Sequence, residues 1–166
     1  HRSHSLVALG GMIGRDIAAL MDAEEYGSTA AWVSGESRLQ ITIIDAEGEQ
    51  RAFYAPAQPF SPHDAMVVRK RFLALLPRLA AVCTCGSSPG GEGDRLFAQL
   101  INDARRQRLP VLLDSSGEAL RRGLLAGLDI VKVNRAEASA WLGGPVSGRA
   151  AELAALRELR EHVRRW

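Results

Sequence analysis

The chain of 166 residues is 46% hydrophobic, enough for one globular domain with a sizeable core and too short to favour two. Its 21 basic and 19 acidic side chains leave a net charge of +2, which excludes partners held by bulk charge, such as nucleic acid or an anionic membrane surface. No apolar run approaches the roughly 18 residues of a membrane span and no secretory signal is visible, so a cytoplasmic location is expected.

In chain order, Leu6 to Leu9 reads as a short buried strand, and Gly10 to Gly14 as a tight glycine turn opening a helix through about Glu25. Thr29 to Val33 and Arg38 to Asp45 read as strands, the second alternating through Leu39, Ile41 and Ile43. Asp45 to Gly48 has the composition of a hairpin turn, with Glu49 to Tyr54 returning antiparallel. After a loop punctuated by Pro56, Pro59 and Pro62, Ser61 is placed to cap a helix with Pro62 at its first position and Asp64 in its first turn. Val68, Phe72, Leu75, Leu76 and Leu79 give that helix a buried stripe, and Pro77 should kink or end it.

Ala80 to Thr84 then reads as a buried strand, followed by a helix lined by Phe97, Leu100 and Ile101 that ends near Arg108. Strands at Val111 to Leu113 and Ile130 to Val133 alternate with helices at Gly117 to Ala126 and Arg135 to Leu142, and a last helix starts at about Arg149. This alternation predicts right-handed crossovers and a parallel sheet. The sequence starts at His1 and stops at Trp166 within a helical pattern, so it is expected to be a piece of a longer protein.

The stretches Leu112 to Leu120 and Ile130 to Glu137 are strand-to-helix junctions, the place where α/β sheets present polar groups to ligands. Asn134 and Glu137 have the spacing of a capping box, as do Ser115 and Glu118, for which capping is a sufficient account. Asp114 is a carboxylate at a strand's carboxyl end, where support of Mg²⁺ and stabilisation of the turn are both open roles. Arg38, after Gly35, is either a solvent-exposed strand residue or a phosphate ligand, since guanidinium binds phosphate through parallel hydrogen bonds. The Gly86 to Gly90 turn needs no function, yet its amides and the Ser87 hydroxyl suit a phosphate oxygen.

Cys83 and Cys85 alternate on one strand and share a face; without further Cys or well-placed His they read as buried free thiols rather than metal ligands. His1, His4, His63 and His162 match no catalytic constellation and read as surface residues. Arg157, Arg160, Arg164 and Arg165, interleaved with Glu158 and Glu161, read as a solvated helix face.

Taken in order, Ser34 to Ile41, Cys85 to Gly90 and the two junctions resemble the motifs of the PfkB carbohydrate kinases, especially the branch that phosphorylates fructose and tagatose phosphates. The Gly10 to Gly14 turn is similar to a glycine turn upstream of the Arg motif in that branch. The resemblance covers nearly the whole chain and matches the middle of such a kinase. It implies an α/β, ribokinase-like parallel sheet flanked by helices, with residues 1–166 a partial domain and 34–54 part of a β-hairpin lid that forms a homodimer contact. It also implies ATP and Mg²⁺. By the same resemblance Asn134 and Glu137 organise Mg²⁺ and its waters, Lys132 and Asn134 face the nucleotide phosphates, and Arg38 and Ser87 contact the substrate phosphate. Gln40 stands where the family usually has Asn and keeps an amide for the sugar. Val133 replaces the usual Pro, and Cys85 and Ser88 the commoner Ser and Leu.

Such kinases also carry an early Gly-rich sugar-binding motif and a late Gly-Ala-Gly-Asp motif whose Asp is the general base, and neither occurs in this sequence. The resemblance therefore implies a full-length enzyme that phosphorylates a phosphorylated ketose, with this stretch alone inactive. A kinase of an unphosphorylated sugar or nucleoside, and a non-catalytic α/β binding module, are the alternatives.

Overall fold

The computed structural model describes residues 3–24 and 27–164. Strand β1 (Ser5–Leu9) leads into helix α1 (Gly11–Ala23), and β2 (Ser28–Trp32) returns parallel to β1 with Leu9 beside Trp32. The expected helix end at Glu25 lies outside the described residues, as do His1, Arg165 and Trp166. Strands β3 (Gln40–Ile44) and β4 (Gln50–Tyr54) form an antiparallel hairpin whose turn is closed by the Asp45 carboxylate, which accepts from the N–H of Glu47 and Glu49. Gly48, at φ +84°, supplies the left-handed position of that turn.

Helix α2 (Pro62–Leu75) begins with the expected cap: the Ser61 hydroxyl accepts from the Asp64 N–H, and the Asp64 carboxylate accepts from the Ser61 N–H. It ends before Pro77 in a short 3-10 turn, Leu76–Arg78. Strand β5 (Val82–Cys85), helix α3 (Glu92–Arg106), β6 (Val111–Asp114), α4 (Gly117–Ala126), β7 (Ile130–Lys132), α5 (Arg135–Leu142) and α6 (Gly148–Arg160) complete the order. Strands β5, β6 and β7 make a parallel sheet in that spatial order, as the alternation of strands and helices predicts.

The core lies between this sheet and α3 and α4, where Val82, Val111, Leu113, Leu96, Ile101, Leu120 and Leu124 are buried. Helix and strand approach closely there: a Cβ on Gly123 would stand 2.3 Å from Leu113 Cδ2. Acidic residues in the first turn of α3 (Glu92, Asp94) and basic ones in its last (Arg105, Arg106) complement the helix dipole. Buried Asp103 on α3 is paired with Arg69 of α2 at 2.7 Å, which locks the two helices together.

Some expected edges shift. Arg38, Leu39 and Asp45 fall outside β3, and Val133 outside β7, while β5 starts at Val82 and runs through Cys85 rather than spanning Ala80 to Thr84. Cys83 and Cys85 do share a face, but both are exposed free thiols and not buried ones. The helices cover the face that carries Val82, Thr84, Val111 and Leu113; the opposite face, with Cys83, Cys85, Leu112 and Asp114, is the more open one.

Candidate functional site

Because β5, β6 and β7 are parallel and in register, Cys85, Asp114 and Lys132 form a row at one sheet edge. The three following turns converge there. Gly86 donates its N–H to the Asp114 carbonyl at 2.9 Å, and its own carbonyl accepts from the Ser115 hydroxyl at 2.8 Å. This corrects the capping reading of Ser115 and Glu118. The cap of α4 is Ser116 without a side-chain bond, Ser115 is buried and ties two turns together, and Glu118 pairs with Arg121 and Arg122. Those arginines, Arg121 foremost, hold the Glu118 carboxyl below its ordinary range.

The expected substrate residues meet. Arg38 donates from Nη2 to the Ser87 hydroxyl at 3.3 Å, and its guanidinium lies over the Tyr54 ring at 5.7 Å. A guanidinium beside a hydroxyl on a glycine turn is a cationic, donor-rich corner suited to an anionic oxygen. Gln40 opens β3 opposite Tyr54 and is exposed.

The expected nucleotide and metal residues form a second group. Lys132 Nζ lies 3.1 Å from Asp114 Oδ1, and that hydrogen-bonded carboxylate raises the lysine above its ordinary pKa, with smaller help from the charges of Glu137 and Cys85. Asn134 and Glu137 form a complete capping box at the start of α5: Glu137 donates its N–H to Asn134 Oδ1 at 2.9 Å, and Asn134 its N–H to Glu137 Oε2 at 2.7 Å. Among the described residues no cluster of three or more His, Cys, Asp or Glu side chains forms a closed metal cage. Sparse oxygen donors suit Mg²⁺, which keeps several waters and leans on substrate phosphates.

The residues that hold Arg38 in place were not apparent from the sequence. The segment before Arg38 is fastened to α1, its N-cap Gly10 and α2 through three residues, Ser34, Glu36 and Ser37. The Asp64 carboxylate accepts from the Ser34 N–H at 2.7 Å and from its hydroxyl at 2.7 Å, in addition to the Ser61 bonds. Glu36 accepts from the Ile13 N–H at 2.7 Å, supplying the negative charge that the first turn of α1 lacks. The Ser37 hydroxyl accepts from the Gly10 N–H at 3.0 Å, and the Ser37 N–H donates to the Gly10 carbonyl at 2.9 Å. A Cβ on Gly10 would stand 2.3 Å from the Gly35 carbonyl oxygen, so the glycine turn exists to admit this segment. Burial alone would raise the Asp64 carboxyl, yet the bonds from Ser61 and Ser34 override it and hold the group well below the usual carboxylate range.

No protein-family model matches the chain. It is 34% identical over 166 residues to 1-phosphofructokinase of Rhodobacter capsulatus, with 96% of this chain and 52% of that protein aligned. It is 30% identical over 158 residues to 1-phosphofructokinase of Haemophilus influenzae, with 93% of this chain and 50% of that protein aligned. The chain thus spans about half the length of the curated relatives it matches. In structure it superimposes on Escherichia coli phosphofructokinase-2 in complex with potassium with a TM-score of 0.85 at 24% identity, covering 98% of this chain and 53% of that one. The ordered motifs, the α/β architecture and these alignments together identify the chain as a partial relative of the PfkB-type phosphofructokinases with their ribokinase-like fold.

Proposed function

We propose that the protein carrying this chain transfers the γ-phosphoryl group of ATP to a phosphorylated ketose, a fructose or tagatose phosphate. The observation that carries this reading is the Arg38 to Ser87 contact of 3.3 Å, which joins a fixed guanidinium and a hydroxyl at the sheet edge that also bears Asp114 and Lys132. Similarity to enzymes named 1-phosphofructokinase supports the substrate class. Residues 34–54 act as part of a lid on a single partial domain, and the site works in the cytoplasm.

Arg38 and Ser87 hold the phosphate already on the sugar, and Gln40 contacts the sugar itself. Lys132 turns from Asp114 toward the nucleotide phosphates; the pair is exposed, so little stability opposes the exchange. Asp114 is then free to support Mg²⁺ through water beside Asn134 and Glu137. Asp114, Asn134 and Glu137 would hold Mg²⁺, which would supply charge neutralisation at the phosphates. The general base comes from outside these residues, so the chain alone binds without turnover.

Steady-state kinetics of Arg38→Ala in the full-length protein test this directly. Loss of a charge-assisted phosphate contact costs about 1.5–3 kcal/mol, so KM for the phosphosugar should rise about 10- to 150-fold. An unchanged KM for fructose 1-phosphate, fructose 6-phosphate and tagatose 6-phosphate alike removes Arg38 from the site.

A further inference from the structure

The two cysteines are absorbed by none of this chemistry. They occupy alternate positions of β5, both are exposed, and their sulfurs lie 3.1 Å apart. This thiol–thiol hydrogen-bonded pair presents two sulfur donors from one side of the strand. Among the described residues no third His, Cys, Asp or Glu completes a metal cluster with them, so a tetrahedral Zn²⁺ would be short of ligands. A linear two-coordinate ion needs its sulfurs on opposite sides, which this strand does not offer. A pyramidal centre that brings its own third substituent needs only the pair.

We propose that Cys83 and Cys85 are a vicinal dithiol site for a three-coordinate thiophilic centre, with trivalent organoarsenicals as the ligand class. Capture is a condensation: both S–H bonds break, two S–As bonds form, and the oxygen of R–As=O leaves as water with both protons. Arsenic stays trivalent and no oxidant takes part. The reaction consumes thiols rather than requiring a preformed thiolate. That matters because partial desolvation, the hydrogen bond with Cys85 and the negative charges of Cys85 and Asp114 push the Cys83 thiol up to about 11. Cys83 should therefore resist alkylation at neutral pH and still join in capture. The proposal does not depend on the kinase reading.

Phenylarsine oxide added to the full-length protein is the probe, with every effect read against the same protein carrying Cys83→Ser or Cys85→Ser. One equivalent should abolish both titratable thiols, add one phenylarsenic group by intact mass, survive excess 2-mercaptoethanol and be released by 2,3-dimercaptopropanol. Capture should also raise the melting temperature, because the folded strand holds the sulfurs together and the unfolded chain does not. Cys83→Ser and Cys85→Ser, both exposed positions, should give adducts that 2-mercaptoethanol strips; circular dichroism melts establish that each variant is folded. A wild-type adduct as labile as those of the variants, two arsenicals per chain, or an unchanged melting temperature would overturn the proposal.

Discussion

At the residue scale the site rests on Asp64. It lies at 1% exposure, and its acceptor oxygens gather the Ser34 and Ser61 hydroxyls and N–H groups, which couples the start of α2 to the segment carrying Arg38. Its carboxyl is depressed in the folded state, so its stabilisation is complete above the unfolded value of about 3.9 and is lost as pH falls through the folded value. Asp64→Asn should destabilise the chain by about 1.5–3 kcal/mol at pH 7, measured by urea unfolding. The gap to wild type should narrow below about pH 4, and a gap independent of pH would contradict this account. Glu137 offers a second residue-scale test. Gln still accepts in a capping box, so Glu137→Gln should change stability by no more than about 0.5 kcal/mol. If its charge serves Mg²⁺ as proposed, kcat should fall and the Mg²⁺ titration of activity shift to higher concentration. A wild-type titration would leave the cap as its whole role.

At the scale of elements, local chemistry made much of the fold legible. Ser61 with Pro62 and Asp64 marks the start of α2, Pro77 its end, and Asp45 with Gly48 the hairpin turn, because each acts on its immediate neighbours. What the sequence left hidden depends on distant partners. Alternation placed Cys83 and Cys85 on one face without telling which face the helices cover, and Ser115 took a carbonyl 29 residues away instead of a cap. Among the site residues, the type and spacing of Arg38 and Ser87 pointed to phosphate, whereas Asp64 read only as part of a cap and the anchors Glu36 and Ser37, which act across the fold, left no local signal. The hairpin shows the same limit. Its period puts Ile41, Ile43 and Phe53 on one face that should be covered, yet all three are more than half exposed, as are Ile44 and Tyr54 on the other face. A two-stranded hairpin has little stability of its own, and the homodimer contact that the family resemblance implies would cover it. Ile41→Lys with Ile43→Lys should then shift the full-length protein from dimer to monomer in sedimentation velocity. An unchanged mass would show that the face serves another purpose.

At the scale of the whole molecule, the three-stranded parallel sheet brings three separated stretches to one edge and Arg38 reaches it from the segment before β3, and the chain aligns with about half of each 1-phosphofructokinase relative. None of its helices among the described residues is long and apolar enough to cross a membrane. On the proposed reading, this edge accepts a sugar already bearing phosphate. The most direct measurement is kcat/KM of the full-length protein with MgATP for fructose 1-phosphate, fructose 6-phosphate and tagatose 6-phosphate against unphosphorylated fructose and a nucleoside. Arg38 and Ser87 are exposed, so the discrimination comes from the charge-assisted contacts to the phosphate, which an unphosphorylated substrate cannot make, and one of the phosphosugars should be preferred on the order of 100-fold. Equal or better turnover of an unphosphorylated substrate would contradict the account.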